Sequence, residues 1–203
     1  MSDLAALFLR AAFVENMPLT FFLGLCTFIA LSRRPGAAIG LGLAVIAVMG
    51  VTVPLNHLIY HGLLAPGAWG WAGMGGIDLS YLALIAFIGV IAATVQLVEM
   101  VLDRFFPAIH AGFGVFLPLL AVHCAILAGS LFMVERDYTL AQSTVFALGA
   151  GTGFAVAVVM LGAIRARLAY ADLPEGLRGL GIAFMLTGMM SLGFSAFAQM
   201  VAP

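Results

Sequence analysis

The sequence holds two cysteines, and both lie in apolar surroundings: Cys26 in "PLTFFLGLCTFIALSRR" (residues 18–34) and Cys124 in "PLLAVHCAILAG". Thiolate is a soft ligand suited to zinc or iron–sulfur chemistry, and such sites normally take four protein ligands. Two cysteines supply half of that set, so a second copy or a related partner chain has to supply the rest, with the site at the interface between chains. Inside a bilayer a redox role suits such a site better than structural zinc, because an electron can pass between buried centres. The plainer reading of each cysteine is a small hydrophobe in an apolar helix. A structural disulfide is not expected of two cysteines set in apolar segments, away from water and oxidants.

Other side chains could also do chemistry. His123 precedes Cys124, but adjacent helix residues point about 100° apart, so it is a poor second ligand for the same ion and reads as a hydrogen-bonded interior histidine. His57 and His61 in "NHLIYH" have the i, i+4 spacing that can share a metal or haem. They also fit, with Tyr60, an ordinary polar belt at the end of a span. Glu99, one turn before Asp103 and Arg104, is an ionisable residue inside an apolar run; insertion scales set that cost at about 3 kcal/mol, which makes it a functional candidate or a surface-paired carboxylate. Arg10 and Glu15 read as partners, although i, i+5 is an imperfect spacing for a helix. "ERDY" (135–138) and "DLPEGLRG" (172–179) read as solvated turns. There is no Gly-rich phosphate loop, Ser-His-Asp set or dinucleotide fingerprint.

The elements that must position these residues follow from composition. Of 203 residues, 64% are hydrophobic and 8% charged, with a mean hydropathy of +1.18, which places the chain among integral membrane proteins. The formal net charge of -1, without a basic patch, excludes a nucleic-acid partner. A bilayer core needs about 20 apolar residues per helix. Six stretches qualify, at roughly 4–31, 37–60, 79–102, 112–134, 142–164 and 179–201, and long continuous apolar runs argue for all-α spans and against a β-barrel. The chain therefore reads as one polytopic membrane domain over 1–203. "MSDLAALFLRAAFVENMP" has no basic n-region or cleavage site and reads as mature protein. Every basic residue is Arg. Loops one, three and five carry Arg33, Arg34, Arg104, Arg165, Arg167 and Arg178, against Arg136 and Arg10 opposite, so both termini face outward.

"FFLGLCTFIA" lies on "LLAVHCAILA" with the cysteines matched, and "AVIAVM" (44–49) on "AVAVVM" (155–160). This pairs span one with four and two with five. Three spans per half is an odd number, so the halves, about 4–102 and 112–201, are inverted repeats. Asn16 and Pro18 precede the first cysteine, and Gly112, Gly114 and Pro118 the second, which points to broken helices one and four.

Taken together, "ENMPLTFFLGLCTF", "VPLNHLIY", "VQLVEMVLDRFFPA", "GVFLPLLAVHCAI", "MVERDY" and "LRGLGIAF" closely resemble the E-type membrane subunits of the sodium-translocating NADH:quinone reductases (Nqr), from about residue 10 to 198. The related A-type component of the Rnf complex, a ferredoxin:NAD oxidoreductase, shares the cysteine segments; "ENM", "LDRFFP" and "ERDY" favour the quinone-reductase type. The resemblance implies a six-helix component of a bacterial inner-membrane Na⁺ pump. It would pair with a homologous D-type chain of opposite orientation and assemble with the A-, B-, C- and F-type components. Cys26 and Cys124 then correspond to the two cysteines that bind an intramembrane 2Fe-2S cluster shared with the D-type chain. The resemblance also implies an electron route from NADH through FAD to covalent FMN, riboflavin and quinone, with the flavin and NADH sites in other chains of the complex. Glu99 falls on the acidic residue of "EMVLDR" implicated in sodium uptake. Two departures stand out: His123 replaces the Asn usual before the second cysteine, and the 61–78 loop is unlike the family. An ion-coupled secondary transporter, which shares inverted repeats and broken helices, is the alternative outside the family.

Overall fold

The computed structural model describes residues 2–33, 35–65, 80–105, 120–168, 170 and 179–201. Arg34, Arg178, Gly112, Gly114, Pro118 and all but the start of the 61–78 loop lie outside them. All regular structure among the described residues is helical. The helices are α1 (Ser2–Leu9), α2 (Met17–Thr20), α3 (Leu25–Leu31), α4 (Pro35–Ile59), α5 (Ala83–Phe105), α6 (Cys124–Glu135), α7 (Leu140–Leu168) and α8 (Leu180–Val201). Among the described residues three stretches are long and apolar enough to cross a membrane: Gly36–Leu64, Ala83–Val101 and Leu140–Leu168. Cys124–Glu135 and Leu180–Ala196 are shorter apolar helices.

The first expected span, 4–31, is not one rod. After α1 the chain widens into a π turn over Arg10–Val14, closed by Glu15 N–H donating to Arg10 O at 2.8 Å. Pro18, with no N–H, cannot bond to Val14 O four residues back. The Thr20 hydroxyl takes that carbonyl instead, at 3.1 Å. Beyond α2 the backbone turns through Phe22 (φ 56°) and Gly24 (φ 84°) before α3 begins. A left-handed φ suits glycine and strains phenylalanine, so this break is built into the fold.

The chain divides into two compact units, residues 1–47 with 145–203, and residues 48–144. Both boundaries fall inside long helices, α4 and α7. In the first unit α8 packs on the π turn, α2 and α3, and Ser191 Oγ donates to Leu19 O at 2.6 Å. The Phe28 and Phe154 rings meet edge to face at 6.2 Å. Small residues allow the backbones to approach: Gly151 lies against Ile46, Gly42 against Ala155, and Gly149 and Gly153 against Phe8, Ala11 and Ala12. In the second unit α5 packs on α6, burying Phe87, Ile91 and Val95. Elsewhere along its length α5 exposes Leu84, Ile85, Ile88 and Leu97, apolar surface that hydrocarbon or a partner, not water, would cover.

Candidate functional site

Both cysteines stand at the start of a half-helix, directly after an interruption. Cys26 is the second residue of α3, whose N-cap is the left-handed Gly24. Cys124 is the first residue of α6, whose N-cap is His123 in extended conformation (φ -74°, ψ 110°). At such a position the first backbone N–H groups lie ahead of the helix's i to i−4 ladder. Neither cysteine is in a disulfide. Cys26 is exposed on this chain and Cys124 half-buried. Cys26 opens onto a groove of about 420 Å³ between α3 and α8, lined by Leu25, Ile29, Ala30, Leu180 and Phe184, with Arg33 the one charged residue among the described lining. His123 is buried; its carbonyl accepts from Ile126 N–H at 3.0 Å and fixes the first turn of α6.

A serine stands six residues after each cysteine, Ser32 and Ser130, and each unit treats its serine alike. In the first, Arg165 near the end of α7 donates to Ser32 Oγ at 2.8 Å and to Ile29 O at 2.9 Å. In the second, Asn56 near the end of α4 donates to Ser130 Oγ at 2.8 Å, and that hydroxyl donates to Ile126 O at 3.3 Å. Arg165 thus serves as an anchor for the end of α3 and is not only a loop charge. Sequence reasoning passes over Ser32, Asn56 and Ser130 and reads Arg165 only as a loop charge, although the matched segments share the Cys-to-Ser spacing. Asn16 was noticed only as a helix breaker. It is fully buried, and its Nδ2 donates to Ala12 O at 3.0 Å and to Gly153 O at 2.8 Å, tying the π turn to α7.

The remaining candidates are dispersed. Arg10 and Glu15 do pair, Nε to Oε1 at 3.0 Å, because the π turn brings residues five apart onto one face. Glu99 is half-buried near the end of α5, with Asp103 and Arg104 exposed one turn on. His57 and His61 lie in the second unit, ring centres 4.3 Å apart. Among the described residues no three His, Cys, Asp or Glu side chains converge.

Long apolar helices with apolar outer faces, half-helices that begin at cysteines, and glycine-mediated packing define an α-helical, multi-pass integral membrane protein. A family profile described as Rnf-Nqr subunit, membrane protein, matches residues 4–201. The chain is 60% identical over 193 residues to a protein of Hahella chejuensis (95% of each chain) and 56% identical over 198 residues to one of Nitrosomonas europaea (98% of each chain). It is 54% identical over 198 residues to one of Idiomarina loihiensis (98% of each chain). All three relatives are named as the E subunit of Na(+)-translocating NADH-quinone reductase. The chain belongs to the Rnf-Nqr subunit family of membrane proteins.

Proposed function

We propose that the chain is the E-type membrane subunit of a Na⁺-translocating NADH:quinone oxidoreductase in a bacterial inner membrane. The carrying observation is the identity of 54–60% along nearly the whole length of relatives bearing that name, which favours this reading over an Rnf-type member of the same family. In this reading Cys26 and Cys124 give two thiolates to an iron–sulfur group, and the homologous D-type chain gives the other two. The side chains fit such sharing: Cys26 is exposed on this chain, and its groove leaves room for a group held from another chain. A 2Fe-2S cluster, when bound, supplies one-electron transfer. The apolar lining keeps water away, and the Arg33 guanidinium, in the same groove, offsets negative charge on the Cys26 thiolate. FAD, FMN, riboflavin and the NADH site belong to other components of the complex, and quinone is bound at the level of the whole complex.

The same reading makes the domain a pair of inverted three-helix repeats. Each unit supports it. Under the pairing of span one with four, two with five and three with six, the elements of the first unit map onto those of the second: α8 on α3 in one, α5 on α6 in the other. The two serine anchors, from α7 in one unit and from α4 in the other, follow the same exchange. The test is Cys26→Ala and Cys124→Ala in the assembled complex. Each variant is expected to lose the intramembrane iron and NADH-to-quinone turnover while still reducing an artificial acceptor at the NADH-oxidising end. Wild-type iron content and quinone reduction in Cys26→Ala would overturn the reading.

A further inference from the structure

We propose that His57 and His61 form a binding site for a borderline divalent metal ion of the Zn²⁺ class at the end of α4, separate from the cysteines and independent of the reading above. His57 Nε2 lies 2.9 Å from the backbone carbonyl of Tyr138 and donates to it. That bond fixes the neutral tautomer in which Nδ1 carries the lone pair. Nδ1 is buried and has no hydrogen-bond partner, an arrangement costly to leave unmade. A metal-binding histidine typically donates its other ring N–H to a carbonyl or carboxylate, which orients the ring and raises its basicity. His57 is already held in that way.

The second ligand is one turn on. His61 is exposed, and its ring centre is 4.3 Å from that of His57, with the planes at 46°. The π turn Tyr60–Leu64, closed by Ala65 N–H on Tyr60 O at 2.7 Å, holds this segment against the end of the helix. Two imidazole nitrogens binding one tetrahedral ion at about 2.0–2.1 Å stand about 3.3 Å apart, a separation that rotation of the exposed His61 ring provides. No third His, Cys, Asp or Glu among the described residues joins the pair, so water fills the other positions. Such an open site suits reversible binding of an ion from outside more than a structural one. Imidazole selects zinc or copper over sodium, magnesium or calcium, which prefer oxygen.

The experiment titrates Zn²⁺ alone against a chromogenic chelator, using the full chain in detergent with both cysteine thiols blocked by alkylation, so that thiolate binding is not counted. One ion per wild-type chain is expected. His61→Ala removes one ligand from an exposed position. His57→Gln keeps an N–H for Tyr138 O but offers no ligating nitrogen. Each is expected to weaken binding by about tenfold or more, with helicity by circular dichroism unchanged. With Cu²⁺ as probe, the paramagnetic spectrum is expected to show coupling to two imidazole nitrogens in wild type and one in His61→Ala. Zn²⁺ affinity unchanged in His61→Ala, or wild-type binding no greater than that of the double variant, overturns the proposal. If His57→Gln fails to fold, His61→Ala decides alone.

Discussion

At Asn16 one side chain replaces several backbone interactions. Where the π turn ends, its amide holds Ala12 O within its own helix and Gly153 O across 137 residues of sequence. Removing it would cost two buried hydrogen bonds, at about 0.5–1.5 kcal/mol each, since Gly153 O, in the interior of α7, keeps its intrahelical donor. The Arg10–Glu15 pair contributes far less, about 0–1 kcal/mol, because the Arg10 side chain is 67% exposed. Glu99 is different again: half-buried near the end of α5, it is partly desolvated, and its carboxylate is a hard oxygen ligand that can replace water around an entering cation. We propose that, in the complex, it handles Na⁺ on the way in, as the family resemblance of its segment implies. Glu99→Gln keeps the shape and removes the charge. The expected outcome is a several-fold higher Na⁺ requirement for quinone reduction with iron content unchanged; an unchanged Na⁺ dependence would return Glu99 to a surface-pairing role.

At the scale of elements, the edge of α7 that carries Gly149 and Gly153 sets how closely the first span can approach. A Cβ at Gly153 would collide with the backbone of Ala12, and one at Gly149 would come within 2.8 Å of Phe8 O. Neither obstacle is the flexible end of a side chain, so relief requires the helices to part. Close approach through small residues is how helices associate where lipid removes the hydrophobic drive. Gly153→Ala is expected to destabilise the chain by about 1–3 kcal/mol, the usual cost of overpacking. It should also weaken the Asn16 bond to Gly153 O, since that bond depends on the same approach. Gly188, with nothing within 4 Å of its Cβ position, supplies the control. The midpoint of thermal unfolding in detergent should fall for Gly153→Ala and hold for Gly188→Ala.

For the whole molecule, the distribution of arginine sets the orientation. Arg33, Arg104 and Arg167 are exposed beyond or near the ends of α3, α5 and α7, where positive charge retains a loop in the cytoplasm. Arg165 is engaged with Ile29 O and Ser32, so its contribution is structural as well as topological. Both termini are then expected to be periplasmic. A reporter fused after Pro203 and active only in the periplasm should be active, and activity from a cytoplasm-only reporter at that point would reverse the assignment.

Hydropathy and spacing are local properties, and they sufficed for much of this protein. The apolar runs placed α4 within 35–59 against an expected 37–60, and α7 within 140–168 against 142–164, because a bilayer-spanning helix satisfies its own backbone and needs no distant partner. Pro18 and the cysteine match likewise pointed to a broken first helix and to its equivalent. What could not be read from the chain was how each break is satisfied. The π register that joins Arg10 to Glu15, the Thr20 hydroxyl on Val14 O, and the left-handed Phe22 are outcomes of backbone geometry that no periodicity encodes. The anchors at Gly153, Ser32 and Ser130 join residues 74 to 137 positions apart. A buried polar group in an apolar surrounding must find a partner wherever the fold supplies one, and only the packed tertiary structure decides which residue that is.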